Sequence, residues 1–256
     1  TTRRPTSSLA PARSSADIQR CTDVALDKAA IQLQFDNLRA RPRLAVVASP
    51  SSVALADAGD GNLAGPPVRF RTYSNYPAFI ARSEVRIFER GRSVQSTPLQ
   101  VLEVDGAGFA EWQSASGPFP APTRELAYVL RAYDAQGNFD ETSPQPLWLV
   151  HRNGEAAAVD PVAEAATREG EQLSAYGESS LAVRNIRLAG GTVTVRGSGV
   201  PAGHRVWVAG QAVPADAQGN FAAEAVLPQG AQSVEVAVLD ADGNGTLYLR
   251  DLDFRR

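Results

Sequence analysis

One short phrase recurs along this chain and narrows the folds open to it. Asp134-Ala-Gln-Gly-Asn-Phe139 is repeated letter for letter as Asp216-Ala-Gln-Gly-Asn-Phe221, and Asp240-Ala-Asp-Gly-Asn-Gly245 is a near copy. Each copy follows a run in which apolar and polar residues alternate, the period of a strand with one face buried. Gly tolerates positive φ, and Asp and Asn hydrogen-bond their own backbone, so the phrase closes a tight turn at little steric cost. The order of a D-x-x-G corner leading into Phe, then a strand ending in D-x-x-G-N, occurs first through Val104–Phe109 and Leu126–Asn138. It occurs again through Asp216–Phe221 and Val234–Asn244. Ordered recurrence of this kind is the trace of a reused module.

The strands can be followed between these corners. Ile31–Phe35, Arg43–Ala48, Val68–Tyr73, Glu84–Phe88, Leu99–Val104, Phe109–Trp112, Leu126–Tyr133 and Gln145–Val150 form a first set. Thr192–Arg196, Arg205–Val208, Phe221–Leu227, Ser233–Leu239 and Thr246–Phe254 form a second. Seven or eight short strands at regular spacing suit an immunoglobulin-like sandwich. The sequence thus predicts an all-β chain of two tandem immunoglobulin-like β-sandwich domains joined by a short, partly helical linker. The expected boundaries are residues 1–27 as a disordered or linker segment, 28–152 as the first sandwich, 153–181 as the linker, and 182–256 as a second, smaller sandwich. Asp57–Pro67 reads as a loop. Within the linker, Asp160-Pro161 supplies a helix cap and a first-turn proline, and Gly170 can end the helix in a left-handed cap.

Length and charge remove several classes of function. The 256 residues suffice for two cores, and a net charge of −3 gives no electrostatic footprint for nucleic acid. No apolar run reaches the roughly eighteen residues of a membrane helix. Cys21 is the single cysteine, which excludes an intramolecular disulfide. With no methionine, even at position 1, the chain reads as a processed product or a piece of something longer.

Gly190-Gly-Thr-Val-Thr-Val-Arg-Gly-Ser-Gly199, Val206-Trp-Val-Ala-Gly210, Leu227-Pro-Gln-Gly230 and the D-x-x-G-N turns resemble a bacterial Ig-like module. The run Tyr128–Asn138 looks like the penultimate strand and turn of the same class. Together with the ending Leu247–Phe254, the pairing resembles the Ig-like region of large proteobacterial outer-membrane or OmpA-associated cell-surface proteins. The resemblance covers about Ile31 to Phe254. It implies an exported protein of the bacterial cell envelope, periplasmic or surface, with neighbouring domains or subunits of an envelope assembly as partners and no catalysis.

Candidate chemistry is sparse. Asp240, Asp242 and Asn244 stand at positions 1, 3 and 5 of a calcium-loop pattern, with Gly245 at 6 and Asp251 at 12. The flanks alternate with period 2 where an EF-hand needs helices, so a structural turn is expected and no cofactor. His151 and His204 sit at a strand end and a Pro-Ala-Gly-His corner. Gly177-Glu-Ser-Ser-Leu181 lacks the closing glycine of a nucleophile elbow, and Gly197-Ser-Gly199 lacks the third glycine of a dinucleotide fingerprint. Trp112, Trp148 and Trp207 are expected in the cores. Tyr73, Tyr76 and Phe79, around Asn75 and Pro77, are candidates for an exposed aromatic loop. Leu249 and Phe254 are candidates on the terminal strand, whose alternation slips near Asp251 as if at a bulge. These residues point to a non-enzymatic structural or interaction region acting as spacer and assembly scaffold. The alternative is a carbohydrate- or peptide-binding module of a larger surface enzyme or adhesin.

Overall fold

The structure is a computed structural model that describes residues 19–26, 29–36, 40–57, 63–92, 96–113, 123–151 and 175–254. The helix expected from Asp160 falls outside them. The described residues are built from strands, with one turn of 3-10 helix at Pro77–Phe79. They divide into two compact units, one of residues 43–74 and 80–186, the other of residues 1–42, 75–79 and 187–256. Along the chain the units are nested: the described residues up to 42 and from 187 on belong to the second, which also takes 75–79, and the rest belong to the first. We call them the inserted unit and the host unit.

The host unit pairs β1 (Gln19–Leu26) with β2 (Ala29–Asp36), β2 with β14 (Gly190–Ser198), and β14 with β17 (Phe221–Pro228). Its second sheet has the order β16 (Gln211–Val213), β15 (Arg205–Val208), β18 (Gly230–Leu239), β19 (Gly245–Phe254). All pairings are antiparallel. The core follows from strand parity. Ile31 and Leu33 on β2, Val193 and Val195 on β14, and Phe221, Ala223 and Ala225 on β17 are buried from one sheet. Val206 and Val208, Val234, Val236 and Val238, and Tyr248, Leu252 and Phe254 are buried from the other.

The inserted unit packs β3 (Leu44–Ser49), β6 (Val68–Ser74) and β9 (Phe109–Trp112) as one sheet. The larger sheet runs from β13 (Leu181–Val183) through β11 (Phe139–Thr142), β10 (Thr123–Tyr133) and β12 (Gln145–His151) to β4 (Ser52–Asp57) and β5 (Leu63–Ala64). On the other side of β10 lie β7 (Arg82–Glu89) and β8 (Gln100–Glu103). The two layers meet at Tyr128, whose ring stands edge-on to Phe70 at 5.1 Å and whose hydroxyl accepts from Ala48 N–H at 3.1 Å. Burial pushes its phenol above the ordinary value.

The two units share a connectivity. In the inserted unit the chain goes from β6 to the β7–β8 pair in the opposite sheet, back to β9, and over again to β10. In the host unit it goes from β14 to β15–β16, back to β17, and over to β18–β19. This is the Greek-key order of an immunoglobulin-type sandwich. The first strand lies beside the second in both: β3 on β6, and β2 on β14. The strand Ile31–Phe35, expected to open the first sandwich, therefore belongs to the host unit. The stretch expected to be a disordered or linker segment holds β1. Short strands with little alternation of their own, β5, β11, β13 and β16, went unread because their neighbours' ladders define them, not their composition. The Asp57–Pro67 loop is accordingly interrupted by β5.

Entry and exit of the inserted unit lie together. Ser180 N–H donates to Leu44 O at 2.9 Å, and Arg43 donates to Gly177 O at 2.5 Å. Asp140, fully buried, accepts from Asn185 N–H and Ile186 N–H at 2.7 and 2.9 Å and so fixes the outgoing chain.

Removing residues 1–36 is expected to strip β14 of its neighbour and remove the buried Ile31 and Leu33. At roughly 1.5–3 kcal/mol for each aliphatic side chain, hydrogen exchange should show protection lost over residues 190–254 by several kcal/mol. An unchanged host unit would contradict the nesting.

Candidate interaction surfaces

The recurring aspartates build turns of one design. Asp105 Oδ1 accepts from Ala107 N–H and Phe109 N–H at 2.9 and 2.8 Å. Asp134 Oδ1 accepts from Gln136 and Asn138 N–H at 2.9 and 2.8 Å. Asp216 Oδ1 does so from Gln218 and Asn220 at 3.0 and 2.7 Å, and Asp240 Oδ1 from Asp242 and Asn244 at 3.0 and 2.8 Å. The glycine of each turn, Gly108, Gly137, Gly219 and Gly243, has positive φ. The turns serve two purposes. Asp134 and Asp240 close true hairpins, β10–β11 and β18–β19. Asp105 and Asp216 instead carry the chain from one sheet to the other, and their glycine carbonyls accept from Thr72 N–H at 2.9 Å and Val200 N–H at 3.1 Å.

This geometry takes apart the calcium pattern. Asp240 spends one carboxylate oxygen on the turn, and Gly245 already pairs with Leu239 as the first rung of the β18–β19 ladder. Asp251 pairs with Ser233, six residues farther along β19. At about 3.3 Å per residue that is roughly 20 Å from the turn, so Asp240, Asp242, Asn244 and Asp251 do not converge. Among the described residues no group of three His, Cys, Asp or Glu side chains is placed to hold a metal ion.

The aromatic loop is also rearranged. Tyr76 is fully buried, not exposed. It lies in Asn75–Phe79, which belongs to the host unit. There Asn75 O accepts from Val226 N–H on β17 at 2.6 Å, while its carboxamide donates to Arg41 O at 2.8 Å and Glu224 Oε1 at 3.1 Å. Phe79 is half-buried, and its N–H donates to Tyr76 O at 3.1 Å. Tyr73 stays in the inserted unit, with its ring 5.0 Å from that of Tyr176. Burial first, and the neighbouring Tyr73 second, push the Tyr176 phenol up. The three aromatics do not form one exposed patch.

On β19 the pairing with β18 is unbroken from Gly245 to Phe254, so the expected bulge near Asp251 is absent. Continuous register preserves parity. Tyr248, Leu252 and Phe254 face the core, and Leu247 and Leu249 are turned out, 54% and 59% exposed. Phe254 is thus a core residue, and Leu249 is a surface one. The tryptophans follow the same rule. Trp148 lies between the buried Leu147 and Leu149, and Trp207 between the buried Val206 and Val208, so both point outward and neither is a core residue; Trp148 is 38% exposed. Trp112 is half-buried.

The sequence did not single out a charged ladder on the outer face of β7, β10 and β11. Tyr133 donates to Glu84 Oε1 at 2.8 Å, Arg82 donates to Glu84 Oε2 at 2.8 Å, and the Arg82 guanidinium lies 3.6 Å over the Tyr133 ring. Arg131 pairs with the buried Glu141 at 2.6 Å and stacks 4.2 Å from Phe139. Burial is the largest single influence and works against the Arg131 charge, but the hydrogen bonds and charges of Glu141 and Tyr133 together outweigh it and hold the guanidinium above its ordinary value. Polar alternation on these strands was the available signal.

His204 sits in a turn, its Nδ1 3.4 Å from Ala202 O, and His151 ends β12. The two belong to different units. Gly197 is a β14 residue beneath the Phe221 ring, where a Cβ would come within 2.1 Å of the ring. Its glycine serves packing and forms no phosphate loop.

No family model and no curated protein sequence matches the chain. Solved structures similar to it include the fibronectin(III)-like modules of Clostridium thermocellum CbhA, at 10% identity over 81% of this chain and 92% of that one, TM-score 0.24. Others are the SrpA adhesin from Streptococcus sanguinis, at 11% over 82% and 94%, TM-score 0.25, and the D00-D0 domain of intimin, at 12% over 83% and 100%, TM-score 0.22. At such scores the likeness adds nothing to what the strand order establishes.

Tyr76→Ala is expected to behave as a core truncation, with a loss of about 3–5 kcal/mol in chemical denaturation. A folded, fully stable variant would restore Tyr76 as a surface residue. The Asp134 and Asp216 carboxyls are held below the ordinary value of ~3.9. For Asp134 the Asn138 side-chain hydrogen bond is the main cause, and for Asp216 the Asn220 backbone hydrogen bond. A depressed folded value means the stabilisation is complete above the ordinary carboxyl range and is lost as pH falls through the folded value. Asp216→Asn should therefore flatten the acid limb of the melting-temperature profile; an unchanged limb would remove this turn from the acid response.

Proposed function

We propose that the chain is a non-enzymatic structural and interaction region of a bacterial cell-envelope or surface protein, acting as spacer and assembly scaffold. The observation that carries this reading is where its polar motif residues are used. Asp105, Asp134, Asp216 and Asp240 each accept two backbone N–H groups of their own turn, and Asp140 holds the exit of the inserted unit. The side chains that most suggested chemistry are engaged in shaping loops. What the sheets offer outward is apolar and aromatic: Leu247, Leu249, Trp148, and Leu99 with Val101. A scaffold that meets neighbours through sheet faces and edges presents such residues. No helix among the described residues is long and apolar enough to cross a membrane. The envelope setting rests on the sequence resemblance to surface-protein Ig-like regions.

The carbohydrate-binding alternative keeps one supporting observation. It passes from Tyr76 to Trp148, whose outward ring flanks Glu125 on β10.

Cells producing the epitope-tagged protein, once fractionated and treated with a cross-linker, are expected to hold it in the envelope fraction joined to neighbouring proteins. Recovery in the cytosol would overturn the reading. Affinity electrophoresis in polysaccharide gels, with retardation abolished by Trp148→Ala, would favour the alternative.

A further inference from the structure

The edges of the four sheets differ in how they are protected. In the inserted unit the outermost strands are short: β5 has 2 residues, β13 has 3, β8 and β9 have 4 each, and β3 has 6. In the host unit β16 has 3 residues, and the edge of β17 receives Asn75 O on Val226 N–H. β19 stands apart. It is the outermost strand of its sheet, it is 10 residues long, and it runs without a bulge. It contains no proline or lysine, and its charged residues, Arg250, Asp251 and Asp253, are confined to its second half. It also presents the two most exposed of the large apolar side chains described, Leu247 and Leu249.

We propose that β19 pairs antiparallel with β19 of a second copy of this chain, continuing the sheet across a two-fold axis at Leu249. The proposal rests on the interaction-region reading above and names its partner. The charge pattern of the strand accepts a copy of itself in one register. Directly opposed residues in an antiparallel pair share a face. With Leu249 opposite Leu249 of the second copy, Tyr248 stands opposite Arg250, Leu247 opposite Asp251, and Gly245 opposite Asp253, so no like charges meet. A slip of one pair in one direction sets Arg250 against Arg250, and a further slip sets Asp251 against Asp251; like charges directly opposed are unfavourable. A slip the other way confines the ladder to Gly245–Asp251. The register centred on Leu249 gives the longest pairing without repulsion.

The test uses the whole chain with Cys21→Ser, so that an introduced thiol is single. Sedimentation should show a concentration-dependent dimer, weakened at least about tenfold by Leu247→Lys with Leu249→Lys, with melting temperature nearly unchanged because both side chains are exposed. Under mild oxidation Leu249→Cys should cross-link to a covalent dimer and Leu247→Cys should not, since only position 249 meets itself across the axis. A chain that stays monomeric at millimolar concentration would overturn the proposal. So would a dimer indifferent to both lysines, or cross-linking equal at 247 and 249. These outcomes concern purified protein, so they leave the cell-fractionation result to judge the envelope reading separately.

Discussion

The host sandwich depends on one pairing, β2 against β14, made by segments that stand on either side of the inserted unit. Seven rungs join them, from Thr192 opposite Asp36 to Ser198 opposite Ala30. A disordered loop of that length would burden closure with its configurational entropy, which grows as the logarithm of the loop's length. A folded insert whose ends are already adjacent acts as a short connector. Ser180 bonded to Leu44 and Arg43 bonded to Gly177 meet that condition, and the Asp140 carboxylate extends it to the departing chain at Asn185 and Ile186. The nesting and these few hydrogen bonds are parts of one constraint.

Strands with their own alternation were legible in the sequence. Val68–Ser74, Arg205–Val208 and Phe221–Pro228 lie within a residue or so of where period 2 places them. What alternation cannot say is which sheet a strand joins. Ile31–Phe35 has the same pattern whether it pairs with β6 or with β14, so a reader proceeding in chain order assigns it to the wrong sandwich. Face assignment was legible but misjudged. Leu147-Trp148-Leu149 and Val206-Trp207-Val208 each put two aliphatics on one parity and the tryptophan on the other, and two aliphatics outvote one indole. On β19 the larger count of leucines suggested a slip, whereas unbroken pairing makes Tyr248 the core residue and leaves Leu247 and Leu249 outside. Tyr76 was not legible, because its burial depends on Asn75–Phe79 joining the host unit.

The aspartate turns show how one local device serves different tertiary ends. Its energetics are contained in a few residues: two N–H groups on one carboxylate oxygen and a glycine at positive φ. Nothing in that set specifies whether the flanking strands stay paired. At Asp134 and Asp240 they do. At Asp105 and Asp216 they diverge into opposite sheets, and a further bond, from Thr72 or Val200 to the turn glycine's carbonyl, holds the corner against the second strand of the sandwich. The equivalent placement in both units explains why the recurrence is so easily read in the sequence while its two uses are not.

The same economy bears on where such a molecule can meet others. Aspartates engaged by their own turns are pre-organised and cannot turn to a ligand without releasing two backbone donors. Groups free of that obligation lie on outward parity: leucines on β19, a tryptophan on β12, and the stacked arginines of β7 and β10, of which Arg82 and Arg131 already have carboxylate partners in Glu84 and Glu141. Neutralised pairs favour contact with neutral or mixed surfaces over polyanions, because a new anion must displace a carboxylate already in place. What the described residues leave uncommitted is therefore chiefly rows of apolar side chains on outward parity, such as Leu247 and Leu249.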